Sequence, residues 1–146
     1  MSKAGVNIRE MSAEDLEGIL RIEREARGDK RASTFAPVPE SCIGGEIDSS
    51  VVAEEDDQIV GFILGRTIRS PIGLSDIAWI EFIGIHPDYQ RRGIGRKMVE
   101  SWKEHCRKKG IKRVHIMLSG SDEWMQAFFE AQGFTRGELV DFQAEI

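Results

Sequence analysis

Two cysteines, Cys42 and Cys106, are all the chain has, and two cannot staple a fold of 146 residues. Their separation matches no zinc-type spacing, so both are expected to be reduced thiols. The three histidines, His86, His105 and His115, form no ligand pattern either. No metal site is therefore expected. No apolar run approaches the roughly 18 residues of a membrane-spanning helix. The opening MSKAGVNIREMS lacks the apolar stretch of a secretory signal. These absences predict a cytoplasmic protein without a membrane partner. Positive charge is also in deficit: 20 Lys and Arg against 25 Asp and Glu leave a net charge of −5. That argues against nucleic-acid binding, and any anion site must gather its cations locally.

What is present fits one domain spanning residues 1–146. Val6 to Met11 reads as a strand. Ser12 is a good N-cap with Asp15 three residues on, and Leu16, Ile19 and Leu20 continue at helical spacing to about Arg27. Between Gly28 and Ser50, Pro37 and Pro39 interrupt regular structure, and a short helix over Glu40–Ile47 is the one element the pattern allows. Ser50 to Ala53 begins a strand, Glu54 to Asp57 reads as a solvated hairpin tip, and Gln58 to Ile68 returns as a long strand. After a turn at Ser70–Gly73, Asp76 to Ile85 is so apolar that burial on both faces is expected. Ile94, Met98, Trp102 and Cys106 then line one face of a helix that Gly110 ends. Arg113 to Leu118 is a strand and Asp122 to Gln132 a helix. A last strand is expected from Leu139 to Glu145. The order predicts a mixed α/β (α+β) domain with an antiparallel meander and a parallel, right-handed β-α-β unit.

The most informative segment is Gln90-Arg91-Arg92-Gly93-Ile94-Gly95-Arg96-Lys97. It lies between a buried strand and a helix start, where unpaired amides and the helix dipole favour an anion. Gly93 and Gly95 let the backbone approach a bulky phosphate. Arg91, Arg92, Arg96 and Lys97 add four cations to the same stretch. A ligand with several phosphates fits. A Walker loop needs G-x-x-x-x-G-K-[ST], which is not here, and the third Rossmann glycine is replaced by Met98.

Gln90-Arg91-Arg92-Gly93-Ile94-Gly95 resembles the Q/R-x-x-G-x-G/A signature of the GCN5-related N-acetyltransferase (GNAT) family. Phe128-Phe129-Glu130-Ala131-Gln132-Gly133-Phe134 resembles that family's F-Y-E-x-x-G-F, and Ile8-Arg9-Glu10-Met11 with Glu14-Asp15-Leu16 resembles its opening strand and helix. The resemblance is strongest over Ile77–Phe134. It implies a GNAT fold, with a mixed central sheet flanked by about four helices. It implies acetyl-CoA as cosubstrate, its pyrophosphate on the amides of Arg91, Arg92, Gly93, Ile94, Gly95 and Arg96. The pantetheine arm would pair with Ile83, Gly84 and Ile85, and Gly84 in a bulky strand suggests a bulge there. The acceptor would be a small-molecule amine or a peptide or protein amine, and relatives often form homodimers through their C-terminal strands.

Acetyl transfer needs a neutral amine and a proton for the departing thiolate. Glu81 is the candidate general base, as the only charge inside the Ile77–Ile85 run. The alternative for Glu81 is a solvated edge or an arginine partner. Some relatives place their active polar residue two positions earlier, which is Trp79 here. The family's usual tyrosine acid aligns with Phe129, which has no proton to give. The resemblance implies that Phe129 still lies among the cofactor-binding residues, and the alternative is that Phe128 and Phe129 are core with Trp124 and Met125. His115, Ser119 and Tyr89 are the candidate substitutes. The missing acid motivates a second reading, a non-catalytic acyl-CoA-binding sensor or interaction domain. Composition and pattern do not identify the acceptor.

Overall fold

The computed structural model describes residues 5–27, 49–69 and 76–146. The expected short helix at Glu40–Ile47 and the turn at Ser70–Gly73 lie outside the described residues. Among the described residues, five strands form one sheet in the order β1 (Asn7–Glu10), β2 (Val51–Glu55), β3 (Gln58–Arg69), β4 (Asp76–Ile85) and β5 (Val114–Ile116). The first four run antiparallel, and β5 pairs parallel to β4. Asp56 and Asp57 carry the β2–β3 hairpin with φ of 51° and 62°. Their short acidic side chains tolerate this left-handed pair better than bulkier ones would.

Among the described residues, three helices cover the sheet: α1 (Leu16–Arg27), α2 (Ile94–Lys108) and α3 (Glu123–Ala131). Alternation along the strands splits the apolar residues between two cores. Val52, Ile59, Phe62 and Leu64 pack with Ile19 and Ile22 of α1. Val51, Ala53, Val60, Ile63, Ala78 and Ile80 pack with Met98, Val99, Trp102 and Cys106 of α2 and Phe129 of α3. Trp102 is wholly buried, and its indole N–H donates to the Ser49 carbonyl at 2.9 Å. That bond crosses Gly65, where an added Cβ would stand 2.1 Å from the Ser49 oxygen. The backbone crossing there leaves room only for glycine.

The start of α1 is tied to the sheet by charge. Asp15 accepts from the Ser12 N–H at 2.8 Å and from both ends of the Arg9 guanidinium at 2.8 and 3.0 Å. Burial alone would raise the Asp15 carboxyl, but the Arg9 and Ser12 hydrogen bonds together hold it below the usual carboxylate range. Arg9 also reaches Glu54 of β2 at 3.3 Å, so one guanidinium links three elements.

Three expectations need correction. Residues 139–145 form no strand: Val140 and Phe142 stand exposed, at 75% and 93%. β4 is not buried on both faces, because Asp76 and Glu81 are exposed and Trp79, Phe82, Ile83 and Ile85 only partly covered. The bulge falls at Glu81 and not at Gly84. Leu64 pairs with Phe82 and Gly65 with Ile80, which leaves Glu81 unopposed, whereas Gly84 sits in register with Phe62.

Candidate active site

β4 and β5 share only the pairs Ala78–Val114, Trp79–His115 and Ile80–Ile116. Beyond Ile80, β4 keeps β3 on one side as far as Ile85 and has no described strand on the other. The sheet therefore splays at the Glu81 bulge. An extended amide-bearing chain can pair along that unfilled edge, over Ile83, Gly84 and Ile85.

The chain leaves β4 through His86. Its backbone N–H donates to the Val60 carbonyl at 2.8 Å, and its Nδ1 accepts from the Asp88 N–H at 3.1 Å. Nε2 meets the Glu25 carboxylate of α1. A buried histidine thus fixes the turn to α1, a role that a loop position in the sequence does not announce. A 3₁₀ turn, Pro87–Tyr89, follows. The Gln90 amide reaches back to the Ile85 carbonyl at 3.4 Å. Arg91 and Gly93 then take positive φ, 66° and 77°, and α2 begins at Ile94.

Among the described residues, the backbone N–H groups from Gln90 to Arg96 donate to no protein carbonyl. They lie at and just before the positive end of a 15-residue helix. Gly95 is closed in on the inner side: an added Cβ would lie 3.1 Å from both Ile85 Cδ1 and Phe128 Cζ. The two glycines therefore do different work. Gly93 supplies a left-handed backbone in open space, and Gly95 lets α2 seat against β4 and α3. Unused amides, a bare turn and an unfilled strand edge fit a ligand with a diphosphate and an amide arm.

The arginines are not equivalent. Arg91 and Arg96 are exposed. Arg92 is held by Glu55 of β2 through two contacts of 3.2 Å and lies 5.2 Å from the Tyr89 ring centre. Its amide belongs to the cradle, while its side chain braces the turn against the hairpin.

Glu81 has an arginine partner. Arg66 Nε lies 3.0 Å from Glu81 Oε1, and the Glu81 side chain is 35% exposed. Glu81 follows Ile80–Ile116, the last β4–β5 pair, and so stands at the splay. Trp79 and His115 stack with ring centres 4.9 Å apart. Burial, with help from Arg113, lowers the His115 pKa below the usual imidazole range. That favours the neutral ring at pH 7, a poorer proton donor. Ser119 bonds to Ser121 Oγ at 2.8 Å in the loop past β5, and Tyr89 packs edge-on against His86. Phe129 is buried, wedged between Phe128 and Phe134 at 5.0 and 5.1 Å, so it is a core residue here. Arg66 was missed in the sequence, although it is the only charge in Gln58–Ile68, as Glu81 is in Ile77–Ile85.

The profile of the Acetyltransferase (GNAT) family matches residues 16–134. The chain belongs to the GNAT family. Relatives diverge in what they acetylate. A ribosomal protein bS18 alanine N-acetyltransferase of Salmonella typhimurium is 24% identical over 88% of this chain and 80% of its own length. An amino-acid acetyltransferase of Aeromonas salmonicida is 26% identical over 94% of this chain, but only 28% of that protein is matched. The chain spans about a quarter of the length of the mycothiol acetyltransferases of Renibacterium salmoninarum and Nocardiopsis dassonvillei, the former at 24% identity over 59% of this chain. Among solved structures, aminoglycoside N-acetyltransferase AAC(6')-Iy in complex with CoA superposes with a TM-score of 0.78 at 21% identity, covering 99% of this chain and 97% of that one. The ribosomal-protein-alanine N-acetyltransferase of Brucella melitensis biovar Abortus 2308 gives 0.77 at 12%, over 97% and 99%. These likenesses show the GNAT fold.

Proposed function

We propose that this GNAT member is an acetyl-CoA-dependent N-acetyltransferase acting on a primary amine. The observation that carries the reading is the row of unused amides from Gln90 to Arg96 beside the unfilled edge of β4. Acetyl-CoA supplies the acetyl group as a thioester. The amides of Arg91 to Arg96 hold the diphosphate, and the exposed Arg91 and Arg96 add positive charge. Ile83, Gly84 and Ile85 offer main-chain partners to the pantetheine arm. Glu81, at the mouth of the splay, takes the proton of the attacking amine, directly or through water. Phe129 gives the leaving thiolate no proton. Tyr89 and Ser119 carry the hydroxyls nearest in sequence to the turn and to the splayed side of β5.

Phe129 also favours a second reading, a non-catalytic acyl-CoA-binding domain. One experiment separates the two. Calorimetry should show CoA binding more tightly than ATP or NAD. A panel of amines with acetyl-CoA, followed by release of free thiol, should show turnover for at least one acceptor. CoA binding without any release would favour the sensor. Tighter binding of ATP than of CoA would remove both readings.

A homodimer belongs to this proposal. From Val140 to Ile146, apolar Val140, Phe142, Ala144 and Ile146 alternate with Asp141, Gln143 and Glu145. The segment has the period of a strand but no described partner, and β5 is open on its outer side. The basic Lys112 and Arg113 before β5 suit the acidic residues of a second copy's tail. Sedimentation should give a dimer for the wild type and a monomer for Phe142→Asp. A monomeric wild type at about 100 μM, well above a micromolar Kd, would refute the dimer.

A further inference from the structure

Among the described residues, two buried side-chain polar atoms have no hydrogen bond, Arg66 Nε and Trp79 Nε1. They are not scattered. Arg66 and Trp79 are opposite each other in the β3–β4 ladder, so their side chains rise from the same face of the sheet. Leaving a buried donor without an acceptor is destabilising, and native folds rarely do so. Two adjacent ones beside the candidate base call for an acceptor that comes and goes.

We infer that the N–H groups of Arg66 and Trp79 form a subsite for an sp² oxygen carried on the carbon next to the acceptor amine. The inference rests on the N-acetyltransferase reading and deepens it by naming the acceptor class. Arg66 Nε is 3.0 Å from Glu81 Oε1, yet its N–H is not aimed at that oxygen. Glu81 lies on the bulge, a third exposed, so its carboxylate can turn toward an arriving ammonium. Turning uncovers Arg66. The indole of Trp79 is held by its stack on His115, which fixes the direction of the second donor. An ammonium against Glu81 and an oxygen against Arg66 and Trp79 describe the group H₃N⁺–CHR–C=O. That group has two sources, a free α-amino acid and the first residue of a peptide. A lysine side chain, a polyamine or a sugar amine lacks an oxygen of this kind at this distance. Such acceptors would leave both donors orphaned.

The test is a set of acceptors with one carbon skeleton. Alanine, alaninamide and alanyl-glycine carry the oxygen; 2-aminopropane lacks it; Nα-acetyl-lysine offers only an ε-amine. At least one of the first three should exceed 2-aminopropane and Nα-acetyl-lysine about 100-fold in kcat/KM. Preference for alanine assigns the free amino acid as the source, and preference for alanyl-glycine the peptide. Trp79→Phe keeps the ring on His115 and removes the donor. It should narrow the ratio of the best carbonyl-bearing acceptor to 2-aminopropane by 10-fold or more, chiefly through KM. A purely structural Trp79 would lower the melting temperature and leave that ratio alone. Equal use of 2-aminopropane or of the ε-amine would overturn the subsite and leave the N-acetyltransferase reading standing. If no amine releases thiol, the catalytic reading fails. Calorimetric titration of alanine and alanyl-glycine into the CoA-loaded protein then decides the subsite, and absence of binding by both refutes it.

Discussion

Glu81→Gln should lower kcat by about 10²- to 10⁴-fold, the range for losing a positioned general base, while CoA affinity stays within about 2-fold. The separation is the informative part. Glutamine keeps the size and shape of the side chain at the bulge but cannot take a proton. The residue lies on β4 before the stretch offered to pantetheine and away from the amides that face the diphosphate. Folding should change little, because the ion pair with Arg66 is part-exposed on both sides. Such pairs contribute about 0–1 kcal/mol. Thiol release measured at saturating acetyl-CoA gives kcat, and calorimetry gives the affinity. Full turnover in Glu81→Gln would remove Glu81 as the base. Loss of CoA binding along with turnover would make it a residue that shapes the splay.

Gly95→Val should weaken CoA binding by 30-fold or more and lower stability by about 1–3 kcal/mol, the usual cost of overpacking a tight seam. A Cβ alone would stand 3.1 Å from Ile85 Cδ1 and from Phe128 Cζ, and valine adds two methyl groups to that clash. α2 would have to lift from β4 and carry the unused amides with it. Gly93→Ala is the control. No atom lies within 4 Å of a Cβ there, so the cost is the left-handed backbone at φ 77°. That costs about 1–2 kcal/mol. Calorimetry with CoA should therefore rank Gly95→Val as the weaker binder. The reverse order would show that backbone conformation, and not the packing of the helix start, sets the cradle.

Several elements were legible in the sequence because their causes are local. The face formed by Ile94, Met98, Trp102 and Cys106 repeats at helical spacing, and those four residues are buried together. Gly110 and Gly133 take positive φ just beyond α2 and α3, where only the backbone of the last turn decides the matter. The phosphate turn is also local, since its amides, glycines and arginines are neighbours in the chain. The C-terminal segment shows the opposite case. Its alternation marks a strand, but a strand exists only where it pairs with another edge, and no described strand pairs with this segment.

Glu81 makes the same point within the site. A lone carboxylate in an apolar run suggests burial, and the alternation of a regular strand would bear that out. One residue of slip between β3 and β4 placed Glu81 on the bulge instead, part-exposed and against Arg66. Arg66 precedes it by 15 positions, and no pattern in either strand encodes that meeting.

From its sequence alone this protein received the order of its elements from β1 to α1 and from β2 to α3, and the glycine-arginine turn, because each follows from the chemistry of residues a few positions apart. The tertiary fold alone decided where β4 parts from β5, which carboxylate stands at that parting, and that Arg66 and Trp79 face each other with unused N–H groups. Those facts depend on register and on contacts between distant strands, which are set when the sheet packs as a whole.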